Sequence, residues 1–372
     1  MERAPSRMNV PFIDLKRAHD PIRAELLEAF ARTLDHGEFC LGSEVSDFES
    51  GFASVQGISR VVGVGSGTEA LHLIACALDL GPGDEVIVPA FTFIASAWLA
   101  EYVGAKLVFA DIDPLTYTID PKSIETVTTE NTKAIVATHL FGLSADMDAI
   151  QRIADKRGAK VVEDAAQAHL ARYRGEPVGE IGVAGAFSFY PTKNLGGLGE
   201  GGCVSSKDPD LLDRVAVLRA HGSKERYLNH FVGYNNRMEG LQAAALNVKL
   251  PFLKAKTVRR QEIADRYLRG IQLENTTLPG EPEWGRSVFH MFTLQHPERE
   301  RLRSYLTEKG IGTDIVYPYP LHLQPCFADR DYGVGSFPES EKLAKHCLSL
   351  PIVPELTDAE VDYVIESINA FS

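Results

Sequence analysis

From Val61 onward the sequence alternates between short β-branched segments and longer helical ones, and this alternation narrows the possible folds more than any other feature. The helical segments carry apolar residues at positions i, i+3, i+4 and i+7. Leu71, Ile74, Ala75 and Leu78 form such a stripe. The alternation is typical of an α/β domain with a largely parallel sheet. The predicted strands are residues 61–64, 85–89, 106–110, 133–138 and 160–163.

The chain has 372 residues, which exceeds the size at which a single hydrophobic core keeps growing. We therefore expect two domains. A large α/β domain, which includes an N-terminal arm, is predicted over residues 1–250, and a smaller α+β domain over residues 251–372. The stripe of the first helix that is expected to pack inward comprises Leu26, Leu27, Phe30 and Leu34.

The composition excludes several classes of function. A formal net charge of −13 argues against a general nucleic-acid or anionic-membrane binder, because phosphates attract basic proteins. The five cysteines are widely spaced and show no zinc-ligand pattern, so we expect reduced thiols and no metal site. The N-terminus, with Arg3 and Arg7, has no apolar segment of a secretory signal, and the longest apolar run, residues 91–100, is too short to span a bilayer. These features predict a cytoplasmic protein.

A glycine-rich loop follows a further predicted strand. Phe187 and Phe189 belong to the strand, Pro191 ends it, and five glycines follow Lys193 within nine residues. Such a loop lets the backbone approach a ligand closely, and a lysine that loses water there has a lowered pKa. A neutral lysine amine can condense with an aldehyde to form a Schiff base. The common alternative is a solvated surface charge, so the assignment depends on other residues.

Three further segments end at the same edge of the predicted sheet. The turn Gly65-Ser-Gly-Thr lies between a strand and a helix, where amides and hydroxyls can bind a phosphate. Asp164 ends another strand, and a carboxylate there can face the protonated ring nitrogen of a pyridoxal cofactor. Phe93 follows a third strand and can stack on a flat ring. Each also has an ordinary alternative: a plain turn, a helix cap and a core aromatic.

Several longer motifs accompany these segments. They are Pro-Phe-Ile-Asp-Leu at 11–15, Gly-Pro-Gly-Asp-Glu-Val at 81–86, Asp-Ile-Asp-Pro at 111–114, Glu-Asp-Ala-Ala-Gln-Ala-His at 163–169, the stretch 187–202, Gly-Tyr-Asn-Asn-Arg-Met at 233–238 and the stretch 317–324. Together they resemble the DegT/DnrJ/EryC1/StrS family of sugar aminotransferases, which use pyridoxal phosphate to aminate keto-sugars attached to nucleotides. The resemblance covers nearly the whole chain and implies the fold of type I pyridoxal-phosphate transferases.

The resemblance implies a role for each matching residue. Lys193 would hold the cofactor as a Schiff base, Asp164 would pair with the pyridine nitrogen, and Gln167 would contact the ring hydroxyl. Phe93 would stack on the ring. The residues that would hold the phosphate are Ser66, Gly67, Thr68 and Ser188, joined by Asn235 from the other subunit of a homodimer.

Four positions bear on the substrate. Tyr317 and His322 resemble residues at the sugar pocket, although a packing or surface role suits His322 equally well. The chain departs from the family pattern at Leu170, where many relatives have glycine, and at Thr192, which replaces a residue that is often small. The shape of the pocket near the cofactor is therefore left open.

The resemblance implies a reaction of deoxyamino-sugar biosynthesis in two halves. Glutamate first gives up its amino group and leaves as 2-oxoglutarate, and a keto-sugar then accepts the amino group. The loop after Lys193 resembles the longer form of enzymes that act on 3-keto-6-deoxyhexoses, whereas Glu200 is shared with relatives that act on 4-keto sugars. We therefore expect amination at C3, with a 4-keto sugar as the alternative. A non-catalytic regulator that retains the fold is a further alternative. A nicotinamide dehydrogenase is disfavoured because its three-glycine fingerprint is missing.

Overall fold

The computed structural model describes residues 8–225 and 227–372. Arg3 and Arg7, on which part of the prediction for the N-terminus depends, lie outside these residues. Within the described ranges, no helix combines the length and the apolar character that crossing a membrane requires.

The strands confirm the predicted α/β pattern. In chain order they are β1 (Val61–Val64), β2 (Glu85–Pro89), β3 (Lys106–Ala110), β4 (Thr132–Thr138), β5 (Lys160–Asp164), β6 (Arg172–Tyr173), β7 (Glu176–Pro177), β8 (Ala184–Ser188), β9 (Gly202–Ser205), β10 (Ser223–Glu225), β11 (Leu228–Asn229), β12 (Phe292–Gln295) and β13 (Cys347–Leu350). Seven strands of the described residues form one mixed sheet in the order β1-β9-β8-β5-β4-β2-β3. In this sheet β9 runs antiparallel to both of its neighbours, and the other pairings are parallel.

From β1 to β5, one α-helix lies between each pair of successive strands. In chain order the α-helices are α1 (Leu15–His19), α2 (Arg23–His36), α3 (Ser43–Gln56), α4 (Gly67–Ala77), α5 (Ala95–Glu101), α6 (Pro121–Val127), α7 (Met147–Arg157), α8 (Pro209–Leu218), α9 (Gly240–Lys249), α10 (Leu253–Gly270), α11 (Arg299–Glu308), α12 (Pro338–His346) and α13 (Asp358–Asn369). The stripe predicted on α4 packs into the core: Leu71, Ile74 and Ala75 are buried.

Both faces of the large sheet are covered, because successive strand residues point to opposite faces. On β2, Val86 and Val88 pack in one apolar cluster with residues of α4 and α5, such as Leu71. Ile87, between them, packs in a second cluster with Ile150 of α7. A sheet buried on both faces leaves its strand ends as the natural place for a ligand.

The C-terminal part has its own apolar core, in which β12 pairs with β13 in antiparallel fashion against α10, α11 and α13. The predicted strand at 288–294 is shorter and later than expected, since β12 begins at Phe292. The N-terminal arm packs against this part: Val10 forms a parallel bridge with Ile311, and Arg17 pairs with Glu360 at 2.8 Å. The N-terminal arm, which we assigned to the large domain, thus contacts the C-terminal part. The domain boundary at residue 250 stays a prediction.

The first long helix, α2, differs from the prediction. Leu26 is buried, but Leu27 is 56% exposed and Leu34 is 65% exposed, so their predicted inward packing is wrong within one chain. The buried stripe of α2 instead continues from Leu26 through Ala29 and Thr33. A glycine in the left-handed conformation, Gly37, ends the helix.

Candidate active site

The site lies at the sheet edge where the parallel strands β1, β2, β4, β5 and β8 end. Thr138 at the end of β4 is in register with Asp164 of β5, and Asp164 is in register with Ala186 of β8. A cavity of about 460 Å³ lies at this edge. The predicted site residues that line it are Ser66, Gly67, Thr68, Phe93, Asp164, Gln167, Ser188, Lys193 and Tyr317.

The turn Gly65-Ser-Gly-Thr, called the phosphate turn from here on, connects β1 to α4. Ser66 is the N-cap of the helix, with an extended backbone, and its Oγ accepts a hydrogen bond of 3.1 Å from the Glu69 amide. The following amides of α4 point out of the helix N-terminus, where the helix dipole favours an anion. The turn therefore provides the donors that a phosphate needs.

Glycines allow three segments to converge on this turn. A Cβ at Gly67 would lie 2.6 Å from the Ser188 Cβ, and a Cβ at Gly202 would lie 2.4 Å from the backbone carbonyl of Ser66. Real side chains do not tolerate such distances, so both positions need glycine. The close approach brings the Ser188 side chain beside the phosphate turn, where the resemblance expects it to help hold the phosphate.

Asp164 lies at the carboxyl end of β5 and is 5% exposed. Its Oδ2 accepts a hydrogen bond of 2.6 Å from Ser96 Oγ, and its Oδ1 accepts one of 3.2 Å from the Ala166 amide. Both bonds orient the carboxylate toward the cavity that it lines. The structure therefore places a fixed acid in the cavity, as predicted.

Lys193 occupies a turn that is closed by its own backbone. Its amide donates to the Tyr190 carbonyl at 2.8 Å, and the Gly197 amide donates to the Phe189 carbonyl at 2.7 Å. Burial lowers the pKa of the Lys193 ammonium to about 8, and the negative charge of Asp164 opposes part of this effect. An amine with this pKa is neutral in about a tenth to a quarter of the molecules between pH 7 and 7.5, far more than for an ordinary lysine.

Gln167 and Tyr317 form a hydrogen-bonded pair on one wall of the cavity. The Gln167 Oε1 accepts from the Phe141 amide at 2.7 Å, and its Nε2 donates to the Tyr317 hydroxyl at 3.1 Å. Because the amide nitrogen carries two hydrogens, one remains for a ligand. Burial raises the pKa of Tyr317 above its usual value, so the hydroxyl stays protonated.

Phe93 lines the mouth of the cavity, where it is 52% exposed. Its ring centroid lies 6.0 Å from that of Tyr317, with an angle of 37° between the planes. An exposed aromatic ring at a cavity mouth is free to stack on a planar ligand. The core-packing alternative for Phe93 does not agree with this exposure.

Two predicted residues do not line the cavity. Asn235 is exposed, and its Oδ1 accepts from the Arg237 side chain at 2.7 Å. This position is compatible with the prediction that Asn235 serves another subunit. His322 is 2% exposed, packs against Phe337, and has its Nε2 3.1 Å from Glu341. Within one chain, the packing role for His322 fits these contacts better than a role at the sugar pocket.

Other residues near the site were not predicted. Thr138 and Ser96 surround Asp164, and Thr138 was open to prediction because it also ends a parallel strand. The buried ring of His290 lines the cavity, and its Nδ1 lies 3.2 Å from Asn194 Oδ1. Burial and the charge of Lys193 hold the pKa of His290 well below its usual value. No sequence pattern singles out His290, because it lies almost a hundred positions after Lys193 in the chain.

The two departures from the family pattern have different consequences. Leu170 has a positive φ of 66°, which explains why glycine suits this position, but it lies outside the cavity. Thr192 lines the cavity directly before Lys193. Of the two, Thr192 is therefore the one that can shape the substrate pocket. Among residues 8–225 and 227–372, no group of three or more metal-ligating side chains is found.

A sheet edge that joins a lysine of lowered pKa, a strand-end carboxylate and a phosphate turn defines the class of pyridoxal-phosphate-dependent transferases. The sequence model described as the DegT/DnrJ/EryC1/StrS aminotransferase family matches residues 20–369. The chain belongs to this family.

Individual relatives agree with this assignment. The crystal structure of DesV from S. venezuelae is 43% identical, has a TM-score of 0.95, and is matched over 97% of this chain and 98% of its own. A dTDP-3-amino-3,6-dideoxy-alpha-D-galactopyranose transaminase from Aneurinibacillus thermoaerophilus is 44% identical over 97% of this chain and 99% of its own length. A protein from Geobacillus stearothermophilus named as a pleiotropic regulatory protein is also 44% identical, over 98% of this chain and 99% of its own length.

Proposed function

We propose that this aminotransferase moves an amino group from glutamate to a nucleotide-linked keto-sugar, with pyridoxal phosphate held at Lys193. The observation that carries the proposal is the cavity of about 460 Å³ in which Lys193, Asp164 and the phosphate turn converge. Its size suits a small-molecule site rather than a macromolecular surface.

The residues present fit the cofactor. The amides and hydroxyl at the N-terminus of α4 suit its phosphate, and Ser188 is brought to the same place because Gly67 has no side chain. Asp164 provides a negative charge for the pyridine nitrogen, and Phe93 provides a face for the ring. Bound pyridoxal phosphate supplies an aldehyde that condenses with amines and a ring that delocalises the charge left when a proton leaves the substrate.

Lys193 performs two tasks in this proposal. Its Nζ holds the cofactor while the site is without substrate, for which the amine must be neutral, and a pKa near 8 allows this. With cofactor and donor bound, the same amine would be the group that takes the proton from the donor Cα and passes it on. The backbone bonds of the turn hold the Lys193 backbone at the cavity wall.

Asp164 would stabilise a positive charge on the ring of the bound cofactor. Ser96 and the Ala166 amide hold its carboxylate in place at 2.6 and 3.2 Å, so little reorganisation is needed. The hydrogen-bonded pair of Gln167 and Tyr317 bounds the same space and offers one further N–H to the ring hydroxyl.

We propose C3 as the position that receives the nitrogen and glutamate as the donor. Support comes from the loop after Lys193, which resembles that of enzymes for 3-keto-6-deoxyhexoses, and from a 44% identical relative whose name specifies a 3-amino sugar. Glu200 lines the cavity and is the residue shared with enzymes for 4-keto sugars.

The purified enzyme should therefore aminate a nucleotide-linked 3-keto-6-deoxyhexose with glutamate, and act at least about 100-fold more slowly on the matched 4-keto sugar. The physical reason is placement, since the reacting carbon must lie within about 1 Å of its ideal position. The measurement is kcat/KM for each sugar, with NMR to locate the new amine. Amination of the 4-keto sugar alone would contradict C3, and no amination of either would contradict the proposed function.

We propose that two chains share each site in a homodimer. Asn235 is exposed, lies outside the cavity of its own chain, and has its Oδ1 held by Arg237. Its amide nitrogen carries two hydrogens that can be donated, and a phosphate of the second chain is a suitable acceptor. A two-fold interface would complete two such sites at once.

Sharing predicts complementation between two inactive variants. Lys193→Ala and Asn235→Ala homodimers should each be strongly impaired, whereas a mixture that exchanges subunits should recover activity in hybrid dimers. In such a hybrid, one site has both Lys193 and Asn235 intact, so the recovered rate should approach a quarter of the wild-type rate at full exchange, roughly half of the dimers being hybrids with one working site. Absence of recovery despite exchange, verified with differently tagged chains, would refute sharing.

A non-catalytic regulator remains the second candidate, because one similar protein is named as a regulatory protein. The structure favours catalysis, since Lys193, Asp164 and the phosphate turn all line one cavity. A regulator would have no need for a lysine whose pKa is lowered to about 8 beside a fixed carboxylate. The sugar assay separates the two, because a regulator gives no turnover with either substrate.

A further inference from the structure

The segment that carries Asn235 lies directly beside the phosphate turn of its own chain. We refer to residues 234–237 as the Asn235 segment. The Gly65 amide donates to the Asn236 carbonyl at 3.1 Å, and Val64 forms an antiparallel bridge with Arg237. The residue after α8 also fixes the segment, because the Asn236 amide donates to the Arg219 carbonyl at 3.0 Å.

Glu69, in the first turn of α4, contacts both the phosphate turn and the Asn235 segment. Its amide donates to Ser66 Oγ at 3.1 Å, which fixes the hydroxyl of the phosphate turn. Its carboxylate accepts a hydrogen bond from the side-chain amide of Asn236, the neighbour of Asn235. One residue therefore joins the part of the chain that would bind its own phosphate to the part that would reach the partner's phosphate.

Two residues one and two turns further along α4 support this connection. His72 lies 3.4 Å from Glu69 through its Nδ1, and its ring packs edge-on against Tyr234 at 4.5 Å. Cys76 Sγ lies 3.5 Å from the Tyr234 hydroxyl. Burial lowers the pKa of His72, but hydrogen bonds to Cys76 and Glu69 more than compensate and raise it to about 9. A protonated His72 ring therefore lies beside the Glu69 carboxylate, 3.4 Å from it.

We propose that Glu69 is a positioning residue that couples the two cofactor sites of the dimer. Through Asn236 it holds Asn235 where Asn235 can reach the phosphate in the partner's site, and through its amide it orders Ser66 in its own site. This inference rests on the proposed sharing of the sites. It assigns to Glu69 an effect that crosses the subunit interface although the residue contacts no cofactor.

The test uses hybrid dimers in which only one chain can hold the cofactor covalently. That chain is wild type, and its partner carries Lys193→Ala, so the absorbance of the lysine-bound cofactor reports one site alone. This site takes Asn235 from the partner. Pyridoxal phosphate is titrated into the apo hybrid, and its dissociation constant is compared for partners that also carry Asn235→Ala, Asn236→Ala, Glu69→Ala or Glu69→Gln.

Asn235→Ala in the partner should weaken binding at the reporting site by at least about tenfold, since a hydrogen bond to a charged group is lost. Asn236→Ala and Glu69→Ala should weaken it by about three- to tenfold, because Asn235 stays present but is no longer held. Glu69→Gln retains an oxygen that can accept from Asn236 and should restore binding to within about twofold of the reference.

The matched control places Glu69→Ala in the reporting chain instead of the partner. The Ser66 contact uses the backbone amide of Glu69, which alanine retains, so the effect in this position should be the smaller one. An effect that is equal or larger there would indicate general damage to α4 and would overturn the proposal. If Asn235→Ala in the partner weakens binding but Asn236→Ala and Glu69→Ala do not, the coupling is refuted while sharing stands. If Asn235→Ala itself has no effect, sharing is refuted.

Discussion

Lys193→Ala is expected to lower the rate of amino transfer by at least about 10⁴-fold, because it removes both the covalent attachment and the amine that moves the proton. Folding should be unaffected, since the turn is closed by backbone hydrogen bonds at Tyr190 and Phe189 rather than by the lysine side chain. The measurement is the release of 2-oxoglutarate from glutamate, with bound pyridoxal phosphate quantified separately. The phosphate turn should still retain cofactor in the variant.

A second lysine provides the control for this prediction. Burial and the nearby charge of Lys256 also lower the pKa of Lys249 to about 8, so reactivity toward an aldehyde does not by itself single out Lys193. Lys249 faces a different cavity, and its Nζ donates to the Gly196 carbonyl at 2.6 Å. Borohydride reduction of the holoenzyme followed by peptide mapping should label Lys193, and the Lys249→Met variant should keep that label. A label on Lys249 would show that the assignment is wrong.

The pH dependence of cofactor uptake follows from the same pKa. Only the neutral amine condenses with the aldehyde, so the rate at which apoenzyme forms the covalent complex should rise with pH through about 8 and then level off. The Lys249→Met variant should show the same profile, which distinguishes the titration of Lys193 from that of its neighbour.

The sequence predicts the edge of the sheet that carries the site, because parallel strands place their carboxyl ends together whatever the details of packing. Thr68, Phe93, Asp164 and Ser188 each follow or end such a strand, and all four line one cavity. Alternation in a strand also implies that Glu163 and Asp164 face opposite sides, but it does not say which acid faces the ligand. The fold decides this, because β5 pairs with β4 and β8 and presents Asp164 to the cavity.

Features that depend on distant parts of the chain were not predictable. The strand β9 begins within the glycine-rich stretch and is recognisable only from its pairing with β1 and β8. Leu27 and Leu34 satisfy a helical apolar pattern, but α2 buries the adjacent stripe of Leu26, Ala29 and Thr33, so these two leucines are exposed. His322 belongs to a motif shared with the family, yet its position is set by contacts with Glu341 and Phe337, which follow it in the chain.

The neighbouring acids Glu163 and Asp164 should respond differently to the same isosteric change, and this difference tests the role of Asp164. Glu163 is fully buried, and its carboxylate accepts from the amides of Gly179, Ile181 and Gly182 at 2.7 to 2.8 Å. Glu163→Gln places amide hydrogens against these donors, so it should lower the free energy of unfolding by about 1–3 kcal/mol. The kcat of the folded fraction should change by less than about fivefold.

Asp164→Asn should instead leave stability nearly unchanged and lower kcat by about 10²–10³-fold. Asparagine can keep the bond from the Ala166 amide through its oxygen, and its amide nitrogen, in the place of Oδ2, can donate to Ser96 Oγ because a hydroxyl can also accept. The substitution removes the negative charge that would face the ring nitrogen. The expected loss of rate corresponds to about 3–4 kcal/mol, the lower part of the cost of breaking a buried charge pair. The measurements are thermal unfolding and the rate of the glutamate half-reaction for both variants. A kcat for Asp164→Asn within about fivefold of the wild type, in enzyme that is shown to be loaded with cofactor, would mean that Asp164 does not stabilise the charged ring.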